Sequence, residues 1–137
     1  MKAVLIDTGC VVALLDRSEQ HHAASLAAIS QVAGPLVTCE AVIAESCYLL
    51  CRLPGAIDAV LENVERGIFQ IPMPLSGRAH AVRRLLKKYA RVPMDLADAC
   101  LVDLADELDT GEILTLNGDF RVYRWRKNRP FQILVPI

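Results

Sequence analysis

Short apolar runs alternate with helical stretches along the whole sequence, and that alternation limits the fold more than any other feature. KAVLI (2–6) is apolar on both faces, as a central parallel strand must be. PLVTC (35–39), GIFQI (67–71), EILTL (112–116) and FQILVPI (131–137) read as further strands. Between them the spacing predicts a helix from about Gly9 with Thr8 as its cap, and a second over 19–32 that stops at Gly34-Pro35. A third runs from Glu40 to about Leu53 and stops at Pro54-Gly55, and a fourth runs over 56–67. Two more are predicted over 76–90 and 95–108, with a short one near Phe120. Strands alternating with helices imply right-handed βαβ units. The expected fold is therefore α/β: a three-layer αβα sandwich around a parallel sheet of about four to five strands. No repeat or linker interrupts residues 1–137, so a single domain is expected.

In such a sheet, ligands sit outside the carboxyl ends of the strands, where the strand order reverses. Asp7 ends the first strand, and TLNGDF (115–120) follows the fourth. Four acids deserve weighing on that ground. Asp7 either caps the helix after it or faces a ligand. Glu45 lies in AVIAESCYLL, where apolar neighbours leave an ionised group few exposed directions, so it needs a cationic partner such as Arg52 or a bound metal. Asp98, in PMDLADACLV, falls at the margin of an apolar helix face, with Asp95 placed to cap that helix in a box-like arrangement. On the same helix Asp103, Asp106 and Glu107 are expected on the solvated side. Asp119 follows an Asn-Gly turn that can also present the Asn117 amide and the Thr115 hydroxyl upward.

Gathered in one crevice, Asp7, Glu45, Asp98 and Asp119 would repel one another and raise some of their pKa values. A divalent cation would offset that repulsion. An oxygen-only donor set without His or Cys favours Mg²⁺ or Mn²⁺ over zinc, and such sites typically serve phosphoryl transfer.

Composition excludes several other classes. At 53% hydrophobic residues and a mean hydropathy of +0.32 the chain is not disordered. The formal net charge of −1 gives no global positive field. Basic residues are nevertheless concentrated in 78–91 and 121–129, on either side of a stretch rich in acids. Five cysteines without a CxxC or a zinc-like spacing fit free thiols in a reducing compartment. Asp7 within the first apolar run argues against a secretion signal, and no run reaches the ~20 residues that cross a bilayer. A soluble, cytoplasmic protein with no membrane association is expected.

LIDTG (5–9), AESCYLL (44–50), PMDLADACLV (93–102) and LTLNGDF (114–120), in that order and spacing, resemble the PIN-domain nucleases, in the branch of small prokaryotic proteins similar to VapC-type toxins. The resemblance spans essentially all 137 residues. It implies Mg²⁺- or Mn²⁺-dependent cleavage of RNA, with Asp7 and Asp98 as the principal metal ligands. Glu45 would complete the cluster and help position the attacking water. Thr8, Thr115 and Asn117 support the site, and Asp119 supplies its last acid. Many relatives carry an acid where this chain has Asn117, which lowers the charge available to a second metal. The resemblance further implies a homodimer and a cognate antitoxin protein. Arg83, Arg84, Lys87 and Lys88, or the run RVYRWRKNR (121–129) with Tyr123 and Trp125, would then be available to hold phosphates and stack bases, although Trp125, the one Trp in a chain of few aromatics, fits the core equally well.

Two other readings compete. A PIN-like scaffold that binds RNA or protein without cutting is compatible with Asn117 in an acid's place. A receiver-like or phosphatase-like acceptor role for Asp7 lacks the second nearby acid and the Lys after the fourth strand that such sites use.

Overall fold

A computed structural model describes all 137 residues. In chain order the elements are β1 (Val4–Ile6), α1 (Thr8–Leu15), α2 (His22–Ser30), β2 (Leu36–Val37), α3 (Glu40–Leu49), α4 (Ala56–Glu65) and β3 (Phe69–Gln70). They continue with α5 (Leu75–Lys88), α6 (Leu96–Leu108), β4 (Glu112–Leu114), a 3-10 turn (Gly118–Arg121), β5 (Arg124–Trp125), β6 (Arg129–Pro130) and β7 (Gln132–Ile133). Five strands form one sheet in the order β3-β2-β1-β4-β7, and every pairing in it is parallel. Helices complete a three-layer α/β arrangement, as the alternation predicts.

β1 lies at the centre because all three of its residues are apolar and buried, so neither face has to meet water. From β1 the chain steps outward to β2 and β3, then returns past β1 to lay down β4 on the other side. The strand order therefore reverses between β1 and β4, and a crevice opens at their carboxyl ends. Leu5, Ile6, Val11, Val42, Leu101, Val102, Ile113 and Leu114 form the centre of the core around these strands. Each such side chain, buried fully, contributes about 1.5–3 kcal/mol of hydrophobic stabilisation. No helix is long and apolar enough to cross a membrane.

Several element ends differ from the sequence expectation. Asp7, not Thr8, caps α1: its backbone is extended and its carboxylate accepts the Thr8 N–H. α2 starts at His22, because residues 16–21 form turns built on the Asp16 carboxylate, which accepts from both the N–H and the hydroxyl of Ser18. α3 ends at Leu49, ahead of the Pro54-Gly55 break. α4 does close at Gly67, whose φ of 76° is the left-handed conformation that favours glycine after a helix.

The largest departure lies at 121–129. This run, expected to hold a short helix, forms an antiparallel hairpin, β5–β6, that keeps Arg121, Arg126, Lys127 and Arg129 exposed. Its aromatic residues face inward. Tyr123 and Trp125 are buried, so they stack no bases. Tyr123 meets Tyr89 and Phe120 edge-on at centroid distances of 5.1 and 5.0 Å. Trp125 donates its indole N–H to the Pro130 carbonyl at 3.1 Å and lies flush against Gly111, where any side chain would overlap the indole.

Asp103 also departs from expectation. It is buried, and Arg78 of α5 grips it with two hydrogen bonds of 2.9 and 2.8 Å while also reaching Glu107 at 2.8 Å. The pairing fastens α5 to α6. It holds the Arg78 guanidinium firmly in its charged form, chiefly through the hydrogen bonds to Asp103.

Candidate active site

The crevice at the β1–β4 switch point is lined by Asp7, Thr8, Gly9, Glu45, Leu49, Asp95, Asp98, Leu116 and Asn117. Asp7 reaches it as the residue that leaves β1 and caps α1. Its Oδ1 accepts from the Thr8 N–H at 2.7 Å, and its Oδ2 accepts from the Thr115 hydroxyl at 2.8 Å. Its own N–H donates to the Leu114 carbonyl at 3.0 Å, so the ends of β1 and β4 are bound together at this residue.

Asp98 arrives from the first turn of α6. Asp95 and Asp98 form a reciprocal capping box: Asp95 Oδ1 accepts from the Asp98 N–H at 2.8 Å, and Asp98 Oδ2 accepts from the Asp95 N–H at 3.2 Å. The helix start fixes the backbone, and the box fixes both side chains. Asp98 is buried at the base of the crevice, whereas Asp95 is exposed on its rim.

Glu45 projects from α3 into the same crevice, but it is exposed rather than enclosed. Its apolar neighbours in the sequence, Val42 and Ile43, point to the core from other sides of the helix. It forms no ion pair with Arg52, since none of the protein's salt bridges includes either residue.

Asn117 is on the lining and Asp119 is not. The Asn117 side-chain oxygen accepts the Asp119 N–H at 3.0 Å, which makes Asn117 the cap of the 3-10 turn. Asp119 stands behind it, half-buried. The Thr115 hydroxyl, besides bonding Asp7, accepts the Asn117 N–H at 3.0 Å. Asp95 is the lining acid that sequence reasoning passed over. Its capping duty explained it fully, yet two acids three apart at a helix start necessarily lie together.

Burial, against two hydrogen bonds that favour the charged form, holds the Asp7 carboxyl above the usual aspartate range, with like charges on Asp95 and Glu45 adding to the effect. Burial likewise pushes Asp98 up to about 7, reinforced by the neighbouring charges of Asp95 and Asp7. No Lys or Arg of the chain is paired with any of these four acids. The protein thus confines negative charge here and leaves it unneutralised. Beside Asp7, the buried Thr8 hydroxyl oxygen has no hydrogen-bond partner.

That donor set suits a hard divalent cation. It consists of carboxylate, amide and hydroxyl oxygens, with no nitrogen or sulfur ligand. No three His, Cys, Asp or Glu side chains stand close enough to hold a bare ion among them. The geometry therefore suits an ion that keeps several of its waters, as Mg²⁺ does. A larger hollow of about 370 Å³ between α3, α5 and α6 is mainly apolar, and its charged Arg78 and Asp103 already satisfy each other. Chemistry places the site in the acidic crevice instead.

Comparisons with known proteins agree with this architecture. The family model described as "PIN domain" matches residues 4–126. Ribonuclease VapC26 of Mycobacterium tuberculosis (strain ATCC 25618 / H37Rv) is 34% identical over 116 residues, covering 83% of this chain and 86% of that protein. The crystal structure of Mycobacterium tuberculosis VapC20, a sarcin-ricin loop cleaving toxin, superposes with a TM-score of 0.80 at 16% identity, covering 93% of this chain and 99% of that one. The fold is the same in both. With nine-tenths of its length matched by the family model, the chain belongs to the PIN domain family.

Proposed function

We propose that the protein is a metal-dependent endoribonuclease, the toxin of a toxin–antitoxin pair, acting in the cytoplasm on RNA with Mg²⁺ or Mn²⁺. One observation carries the reading: Asp7, Glu45, Asp95 and Asp98 share the switch-point crevice of a PIN domain, and no basic side chain of the chain offsets them. The relative named as a ribonuclease supports the choice of RNA.

Asp7 and Asp98 are the two buried acids of the crevice and would hold the cation, with Asp95 at the rim adding charge. Once bound, the ion supplies Lewis acidity, which makes water a competent nucleophile at neutral pH and offsets charge on the leaving oxygen. Glu45, exposed and free of any ion pair, would help position the attacking water and accept its proton at the carboxylate. Thr115 and the Thr8 N–H hold Asp7 in one orientation, so its free lone pairs face a fixed point. Asp119 lies outside the crevice lining and touches Asn117 through its backbone N–H alone, so the proposed reaction gives its carboxylate no step. Arg83, Arg84, Lys87 and Lys88 are exposed on α5 and would meet phosphates of the substrate strand.

The test is cleavage of RNA in Mn²⁺ or Mg²⁺ by wild-type protein, Asp7→Asn and Asp98→Asn. Cleavage by the wild type alone, abolished by chelator, supports the proposal. Equal cleavage in excess chelator refutes it.

That no three acids could hold one ion among them, together with the neutral Asn117, favours a second reading, a PIN scaffold that binds RNA or protein without cutting. Calorimetric titration with Mn²⁺ separates the two, because a binder lacking a competent cluster shows no metal uptake. The homodimer expected from the family is also proposed, on the exposed apolar side chains Tyr48, Leu49, Leu53 and Leu61 around α3 and α4. Light scattering on a sizing column measures it directly.

A further inference from the structure

Asp98 does not lie free in the crevice. Its Oδ2 accepts the Asp95 N–H at 3.2 Å and also faces the Tyr123 hydroxyl at 3.3 Å. The hydroxyl has a single proton, and the Pro93 carbonyl in the loop that leads into α6 also stands within hydrogen-bond distance, so that proton is shared between the two acceptors. Tyr123 itself has no freedom. It is fully buried, and Tyr89 and Phe120 meet its ring edge-on. Tyr89 in turn accepts the Arg124 N–H on its hydroxyl at 2.9 Å, which locks the segment that carries Tyr123.

A carboxylate oxygen offers about two lone-pair directions. The Asp95 N–H and the shared Tyr123 proton are both directed at Oδ2, and neither donor is on a mobile element. Rotation of the carboxylate would break both contacts. Oδ1, which accepts no hydrogen bond within the protein, is the oxygen left open to a cation or its waters.

We infer that Tyr123 is a positioning residue of the site: its buried phenol clamps Asp98 Oδ2 and thereby aims Oδ1 into the crevice. This rests on the metal-dependent reading proposed above and adds a residue to it. Tyr123 never touches the ion or the substrate, since it is absent from the crevice lining and wholly covered. Its role is to replace the rotational freedom of a surface aspartate with one fixed direction. Outer groups that orient ligands typically change metal affinity by about 10–100-fold. The clamp also links the 3-10 turn and hairpin segment, which follows β4, to the N-terminus of α6.

The experiment uses the full chain and four proteins: wild type, Tyr123→Phe, Asp98→Asn and the double variant. Mn²⁺ affinity is read by titration calorimetry, thermal midpoint by circular dichroism, and kcat and KM on RNA separately. Tyr123→Phe removes one oxygen and keeps the ring packing, so the fold is expected to persist. The expected result is Mn²⁺ affinity lowered about 10-fold and kcat lowered with KM little changed. In the Asp98→Asn background, Tyr123→Phe should have no further effect on affinity, because the group it acts through is already altered. Unchanged or tighter Mn²⁺ binding by Tyr123→Phe overturns the assignment, as does an equal loss in both backgrounds. Wild-type protein that takes up no Mn²⁺ overturns the metal reading and this one together. Wild-type uptake with an unaltered Tyr123→Phe overturns this one alone.

Discussion

The Thr115 hydroxyl donates to Asp7 Oδ2 over 2.8 Å, joining residues 108 positions apart in the chain. The bond crosses the point where the strand order of the sheet reverses, from the end of β4 to the end of β1. It is thus both a part of the fold and a part of the site. Thr115→Val keeps the shape and leaves a buried carboxylate short of one donor. The expected loss is about 1–3 kcal/mol of stability, read from urea denaturation, with weaker Mn²⁺ uptake. Thr115→Ser, which retains the hydroxyl, should restore most of both. A Thr115→Val protein as stable and as metal-competent as wild type would show that the bond does neither job.

Asp7→Asn and Asp98→Asn should separate activity from stability. Each removes a charge that the fold has buried among like charges, while an amide oxygen can still accept the local backbone N–H. RNA cleavage should fall by about 10²-fold or more, the equivalent of several kcal/mol of lost charge stabilisation. Thermal midpoints in chelator should stay level or rise. A fall in activity accompanied by an equal collapse of the fold would point to capping as the only role of these residues.

Arg78 and Asp103 provide a contrast, an acid buried for structure. Asp103 is nearly inaccessible and Arg78 is its partner, so Arg78→Leu strands a buried carboxylate. Breaking such a pair from one side costs about 3–5 kcal/mol. Part of that cost should return in the Arg78→Leu/Asp103→Asn double variant, where no charge is left unpaired. Chemical denaturation of the three proteins measures it. Strict additivity of the two single substitutions would mean that the pair is not coupled.

Much of this was legible in the sequence, and the reasons differ residue by residue. β1 could be read because its run is apolar on both faces and ends at a charged residue. The Asp95–Asp98 box could be read because capping is local, set by a spacing of three. Glu45 was misjudged as enclosed because apolar neighbours in sequence belong to other sides of the helix, and its own side faces the crevice. Asp103 was misjudged as solvated because its partner lies 25 positions away, and no local pattern announces a tertiary ion pair. The β5–β6 hairpin escaped notice because its turn lacks glycine: Arg126 and Asn128 take positive φ values of 45° and 68° instead. Tyr123 stands within a basic run that, by the resemblance, could stack bases. Its burial is a property of the packed hairpin, which the run's charge concealed.

The sharpest pH dependence should come from Asp98. Burial pushes its carboxyl up to about 7, with the charges of Asp95 and Asp7 adding to the effect. In the unfolded chain an aspartate titrates at about 3.9. Between those two values the folded protein keeps a proton that the unfolded chain has released. Stability therefore falls as pH rises through this window and levels off above it, while below about pH 4 both states hold the proton and the effect is absent. Asp16, held below the ordinary range by hydrogen bonds from Ser18, works in the opposite sense, and the raised Asp7 and Asp106 in the same sense, so the difference between wild type and Asp98→Asn isolates the contribution. In chelator, that difference in thermal midpoint should widen in favour of Asp98→Asn from about pH 4 to about pH 7. Mn²⁺ competes with the proton for the carboxylate, so the midpoint gain it gives the wild type should be larger at about pH 7.5 than at about pH 5. Thermal melts across that range, with chelator and with Mn²⁺, measure both effects. A wild-type midpoint that tracks Asp98→Asn at every pH, or a Mn²⁺ gain that is greatest in acid, would place this carboxyl outside the charged cluster.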